Sequence, residues 1–161
     1  MIERRRRRAL DETREPDALA PVRVLVDSGP LIALFNGRDA WHETVLSWLR
    51  TNPTTKLVGT WPVMTEVCAL LSSRVRREAA LDFLRWVDRG ALLLDVPEGG
   101  SLREMLKASE RYVDLPLDLA DASVAEAAAR LRIDCVLSLD RDFSVYRDRS
   151  GRALRNLLLE G

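Results

Sequence analysis

The sequence predicts an α/β protein, with a mainly parallel central sheet covered by helices on both faces to make three layers. Three observations carry this reading. Short apolar, β-branched segments alternate with amphipathic or Ala-rich ones along the chain. The strand-like segments are apolar almost throughout, as strands buried on both faces are. The 161 residues, 47% of them hydrophobic, suit one compact domain with a single core.

Residues 1–21 read as an Arg-rich leader, flexible or loosely helical. They hold five consecutive arginines, mixed charges and two prolines, with no sustained apolar period. Residues 22–161 form the globular domain. Val22 to Val26 is a buried strand that ends at Asp27. Ser28-Gly29-Pro30 predicts a turn, and a helix begins over residues 31–36. Residues 40–50 form an amphipathic helix with Trp41, Val45, Trp48 and Leu49 on one face. Residues 56–60 are a short strand. Helices follow over 61–73, with Pro62 in the opening turn, and over 75–89. Residues 91–96 are a third strand and 101–112 a helix. Pro116 breaks the chain, and 118–131 is a strong Ala-rich helix. Residues 133–139 are a strand, and 153–159 a last edge strand.

Composition removes several classes of function. No apolar run reaches the ~18 residues that would span a bilayer, and no apolar segment follows the charged N-terminus as in a secretory signal. A soluble cytoplasmic protein is expected. Cys68 and Cys135 lie in apolar segments and read as small core residues. With His42 the single histidine, a Cys/His zinc site and a nuclease with a histidine acid–base pair are both excluded. His42 is expected on a helix surface.

Formal net charge is zero but uneven. Residues 1–23 hold seven basic and five acidic residues, a surplus of +2, which leaves the remainder at −2. Such a body lacks the basic footprint of a nucleic-acid binder. If it acts on RNA, a bound cation is the natural counter to its acids.

Four of those acids stand where structure alone does not ask for them. Asp27 and Asp140 each follow a buried strand, at the sheet edge where parallel α/β proteins bind ligands. Glu66 shares a helix face with Val63, Ala69 and Leu70, where a carboxylate loses hydration unless a metal or an arginine pairs with it. Asp121 lies in a first helical turn beside Leu117, Val124, Ala125 and Ala128. Asp118 is the N-cap of that helix and a candidate outer-shell acid. Two carboxylates ~5 Å apart repel by ~3 kcal/mol at an effective dielectric of 20. A cluster of four therefore calls for a cation, and an all-oxygen set selects Mg²⁺ or Mn²⁺ over zinc. A metal so held supports phosphodiester hydrolysis without a histidine.

At these residues the chain resembles the PIN-domain family. Val24 to Leu34, with Asp27-Ser28-Gly29-Pro30 at its centre, is similar to the opening motif. Val63-Met64-Thr65-Glu66-Val67 is similar to the second acidic motif, and Leu117 to Ser123, with Asp121 at the acidic position, to the third. Leu137-Ser138-Leu139-Asp140-Arg141-Asp142-Phe143 resembles the closing motif, with Ser138 in place of the more usual threonine. The resemblance runs from about Val22 to Phe143 and beyond.

It implies a PIN-like α/β/α sandwich and a Mg²⁺- or Mn²⁺-dependent endoribonuclease, more narrowly a VapC-type toxin of a bacterial toxin–antitoxin pair. Such a toxin is a homodimer restrained by a small antitoxin protein. Asp27 and Asp121 would hold the metal, with Glu66 and Asp140 completing the catalytic set. Ser28, Asp118, Ser138 and Asp142 would support it. Asp142 also competes with Asp140 for the fourth position, since the two share a side in an extended segment. Arg38, Arg141 and Arg147 are candidates to meet the RNA backbone.

The rival from another class is a non-catalytic partner-binding module whose acids are ion-paired with arginines. A phosphotransfer fold fits poorly: Lys56 and Lys107 do not follow a late strand, and Asp27 is followed by Ser28-Gly29 rather than x-Asp. No Walker or dinucleotide loop is present.

Overall fold

A computed structural model describes residues 22–112, 118–147 and 151–159. The expected leader over 1–21 and the break at Pro116 lie outside the described residues.

The first strand, β1 (Arg23–Val26), has Val24, Leu25 and Val26 almost wholly buried. Asp27 then caps a helix that starts at once, α1 (Ser28–Phe35). The expected turn at Ser28-Gly29-Pro30 is instead the first turn of this helix. Pro30 fits there because the first backbone N–H groups of a helix need no partner. The chain continues through α2 (His42–Thr51), β2 (Lys56–Gly59) and α3 (Trp61–Leu70). A single π-helical turn at Leu71–Val75 leads into α4 (Arg77–Asp88).

The third strand, β3, is only Leu93–Leu94, shorter than its apolar run suggests, and it lies at the sheet edge with Leu93 exposed. Then come α5 (Ser101–Arg111), α6 (Leu119–Leu131) and β4 (Cys135–Leu137). A 3₁₀ turn at Asp142–Ser144 precedes β5 (Arg155–Asn156), the expected edge strand.

The sheet has the order β3-β2-β1-β4-β5, and every pairing in it is parallel. This is the α/β architecture the sequence predicts. The core is aliphatic, joined by Phe35, Phe83 and Trp86 with ring centroids 5.5–6.5 Å apart. Cys135 is buried and Cys68 half-buried, and both are free thiols. His42 is half-buried, and its Nδ1 lies 2.9 Å from the Ala33 carbonyl, so it ties α2 to α1. Among the described residues no helix is long and apolar enough to cross a membrane.

The topology fixes where a site belongs. From β1 the chain moves outward to β2 and β3, then returns to the other side of β1 as β4. The direction of winding therefore reverses between β1 and β4. Ligands of open parallel sheets bind beyond the strand ends at such a reversal.

Candidate active site

Asp27 follows β1 and Ser138 follows β4, so the reversal point brings them together across the sheet edge. The Asp27 amide donates to the Leu137 carbonyl at 2.9 Å, which continues the β1–β4 ladder by one bond. Its carboxylate accepts from Ser138 Oγ at 2.8 Å and from the Ser28 amide at 2.7 Å. Asp27 is only 6% exposed. Its pKa is raised above the usual carboxylate range, chiefly by burial, and the nearby charges of Glu66 and Asp140 add to the effect. The two hydrogen bonds oppose it.

Asp121 shows the same character. Burial pushes its pKa up to about 7, with further contributions from Asp27, Asp118 and Asp140. A capping box locks it to the helix start: the Asp121 amide donates to Asp118 Oδ1 at 2.9 Å, and the Asp118 amide donates back to Asp121 Oδ2 at 3.4 Å. Asp118 is thus the N-cap its sequence position predicts, and it is also one of the charges acting on Asp121.

Glu66 is half-buried on α3, within electrostatic reach of Asp27. Its helix is set against α6 by a buried hydroxyl pair, Thr60 Oγ1 and Ser123 Oγ, 2.6 Å apart. The Ser123 proton goes to the Ala120 carbonyl at 2.7 Å, so Thr60 is the donor in the pair.

The Ser138 hydroxyl also accepts from the Asp140 amide at 2.9 Å, so one side chain positions both ends of the site. Asp142 is not in an extended segment with Asp140. It opens the 3₁₀ turn, and its amide donates to Asp140 Oδ1 at 2.9 Å. This makes Asp142 a backbone support for Asp140.

The sequence reading missed Asn156. This buried residue on β5 accepts from the Ser138 and Leu158 amides at 3.3 and 3.2 Å and donates to the Asp140 carbonyl at 3.1 Å. An asparagine between Arg155 and Leu157 in an apolar edge segment was the available signal.

The acids thus face one another electrostatically. Among the described residues, however, no three His, Cys, Asp or Glu side chains stand at metal-ligand spacing as oriented here. The carboxylates of Asp27 and Asp121 are each turned onto local hydrogen bonds. The ion pairs among the described residues are Arg85–Asp82, Lys107–Glu104, and Arg130 with both Asp95 and Glu126. None reaches Asp27, Glu66, Asp121 or Asp140. Of the candidate RNA-contacting arginines, Arg147 is turned onto the carbonyls of Ser144, Val145 and Tyr146.

A parallel α/β sheet with an acid-lined reversal point defines a class of small domains with carboxylate pockets. The chain belongs to the PIN domain family, whose profile matches residues 24–148. It is similar to Ribonuclease VapC26 of Mycobacterium tuberculosis, 27% identical over 129 residues that cover 80% of this chain and 95% of the relative. In structure it is similar to VapC20 of the same organism, described as a sarcin-ricin loop cleaving toxin. That likeness has a TM-score of 0.71 at 20% identity and covers 76% of this chain and 93% of the other. It is also similar to VapBC2 from Rickettsia felis bound to a DNA fragment from their promoter, with a TM-score of 0.60 at 12% identity, covering 84% and 98%.

Proposed function

We propose that the chain is a divalent-metal-dependent endoribonuclease, the toxin of a toxin–antitoxin pair. One observation carries the reading: a buried carboxylate, Asp27, at the reversal point of the sheet, with Glu66, Asp121 and Asp140 close enough to act on it or on one another and without a cationic partner in the ion pairs described. The similarity to Ribonuclease VapC26 supports RNA as the substrate. The likeness to VapBC2 supports a small antitoxin partner. A homodimer in the cytoplasm completes this reading.

The donor set fits a hard divalent ion such as Mg²⁺ or Mn²⁺: it is all carboxylate oxygen, and burial, helped by the neighbouring acids, raises the pKa of both Asp27 and Asp121, so a cation would favour their charged forms. Asp27 and Asp121 would hold the ion, with Glu66 and Asp140 completing the set. When bound, such an ion binds a phosphate oxygen and lowers the pKa of water. The chain's own residues do the positioning. Ser138 and the Ser28 amide fix the Asp27 carboxylate, while the capping box fixes Asp121. The Asp142 amide holds the Asp140 carboxylate, and Asn156 holds its backbone carbonyl.

The test is cleavage of RNA by the purified chain with Mg²⁺ or Mn²⁺, beside Asp27→Asn. Activity should fall by more than ~100-fold in the variant. Equal activity in both proteins would overturn the assignment.

A further inference from the structure

We propose that the groove between α5 and α6 is a second RNA-binding surface, which grips the substrate backbone outside the bond to be cut. It rests on the ribonuclease reading above.

The groove has a volume of about 700 Å³. Arg103, Lys107 and Arg111 line it from α5. Residues four apart stack along one helix face, so these three form a single row about 12 Å long. That is several times the ~3.4 Å per-strand rise between phosphates in a duplex, so the row can meet more than one phosphate. Arg130 and Arg147 bring the basic lining to five, against Glu98, Glu104 and Glu126. Glu126 is committed to Arg130 and to Ser101, and Glu104 pairs with Lys107. Arg111 lies over the ring of Tyr112, 5.5 Å from its centroid. Counting Asp95, which shares Arg130 with Glu126, the groove keeps one surplus positive charge, and in a body that carries a net −2 outside residues 1–23 that is a local reversal of sign.

Its place on the molecule favours RNA over an acidic peptide. One wall of the groove is α6, through Glu126, Ala129 and Arg130. The same helix carries Asp121 in its first turn, nine residues or about 14 Å before Arg130. A strand held in the groove is therefore one helix length from the acids. The sites stay separate, since the groove wall lies on a different face of α6 from Asp121.

The test uses a fluorescein-labelled single-stranded RNA of about 20 nucleotides with 2′-O-methyl sugars, chosen to resist cleavage. Its binding to the full chain is followed by anisotropy across a salt series. Arg103→Gln/Lys107→Gln/Arg111→Gln should weaken binding at least tenfold at low salt. It should also flatten the slope of log K against log salt by about 2, from three lost phosphate contacts at ~0.7 each. Amide exchange along α5 in the unaltered protein should slow when the RNA is added, a readout that does not depend on the variant folding. An unchanged slope in the folded variant, or α5 exchange unmoved by bound RNA, overturns the proposal. So does protection of α5 by poly-glutamate that added RNA fails to displace. RNA that binds through α5 but is never cut, with an unmodified RNA supplied, removes the nuclease reading and keeps the groove.

Discussion

At Ser138 a single hydroxyl serves two masters: it donates to the buried Asp27 carboxylate and accepts from the Asp140 amide. A hydrogen bond to a charged group contributes ~1.5–3 kcal/mol, and an orphaned buried partner costs a similar amount. Ser138→Ala should therefore lose about 2 kcal/mol in urea unfolding and ~10–100-fold in RNA cleavage. Ser138→Thr, which keeps the hydroxyl, should retain most of both. Asp121 makes a prediction of opposite sign. Its pKa rises from 3.8 to about 7 on folding, so the folded state holds the proton more tightly than the unfolded one. Without metal, stability should fall as pH climbs from about 4 to about 7 and level off above. Asp121→Asn removes that loss. The variant should match the parent near pH 4 and melt higher above pH 7. Partial exposure of the site reduces the gain to about 1–2 kcal/mol, or roughly 3–6 °C. These acids were legible in the sequence because Glu66 and Asp121 interrupt apolar helix faces and Asp27 and Asp140 end buried strands. Asn156 was not, because its three hydrogen bonds join segments that only the folded sheet brings side by side.

Periodicity located the helices and strands well, and where it erred a local rule explains the error. Ser28-Gly29-Pro30 has turn composition, yet an Asp cap and a proline in the first turn are equally a helix start. The apolar run over 91–96 promised a longer strand than Leu93–Leu94, since apolarity does not say when a chain leaves the sheet edge. One unit was invisible from the sequence. Arg130 on α6 bonds Glu126 at 2.9 Å one turn back and Asp95 beyond β3 at 2.5 Å, while Ser101 at the start of α5 donates to Glu126 at 2.8 Å. Burial of the two carboxylates raises the value of their shared cation, and the Arg130 pKa is pushed higher still by these bonds. Arg130→Met would strand both acids, with an expected cost of ~3–5 kcal/mol in denaturant unfolding. Adding Asp95→Asn and Glu126→Gln should recover much of it, because the buried charges then disappear together.

For the whole molecule, metal should act as a folding ligand. A site formed only in the native state stabilises by about 2.7 kcal/mol at a hundredfold excess over Kd. For a chain of this size that is a melting rise of roughly 5–10 °C. Thermal scans with Mn²⁺ should show it in the parent protein and not in Asp27→Asn. The PIN fold itself was legible from four acidic motifs in order, because the sheet topology needs just those strand ends and helix starts at one edge.

The central pairing of β1 with β4 carries one more consequence, for the timing of synthesis. Asp27 and Ser138 stand 111 positions apart. A chain leaving the ribosome at ~5–20 residues per second exposes its first acid many seconds before the strand and hydroxyl that seat it. Pairing across such a span is also slow to form. No translation product cut short before Ser138 can hold an assembled pocket. The pocket thus forms late in synthesis, only after the strand leading to Ser138 has joined β1.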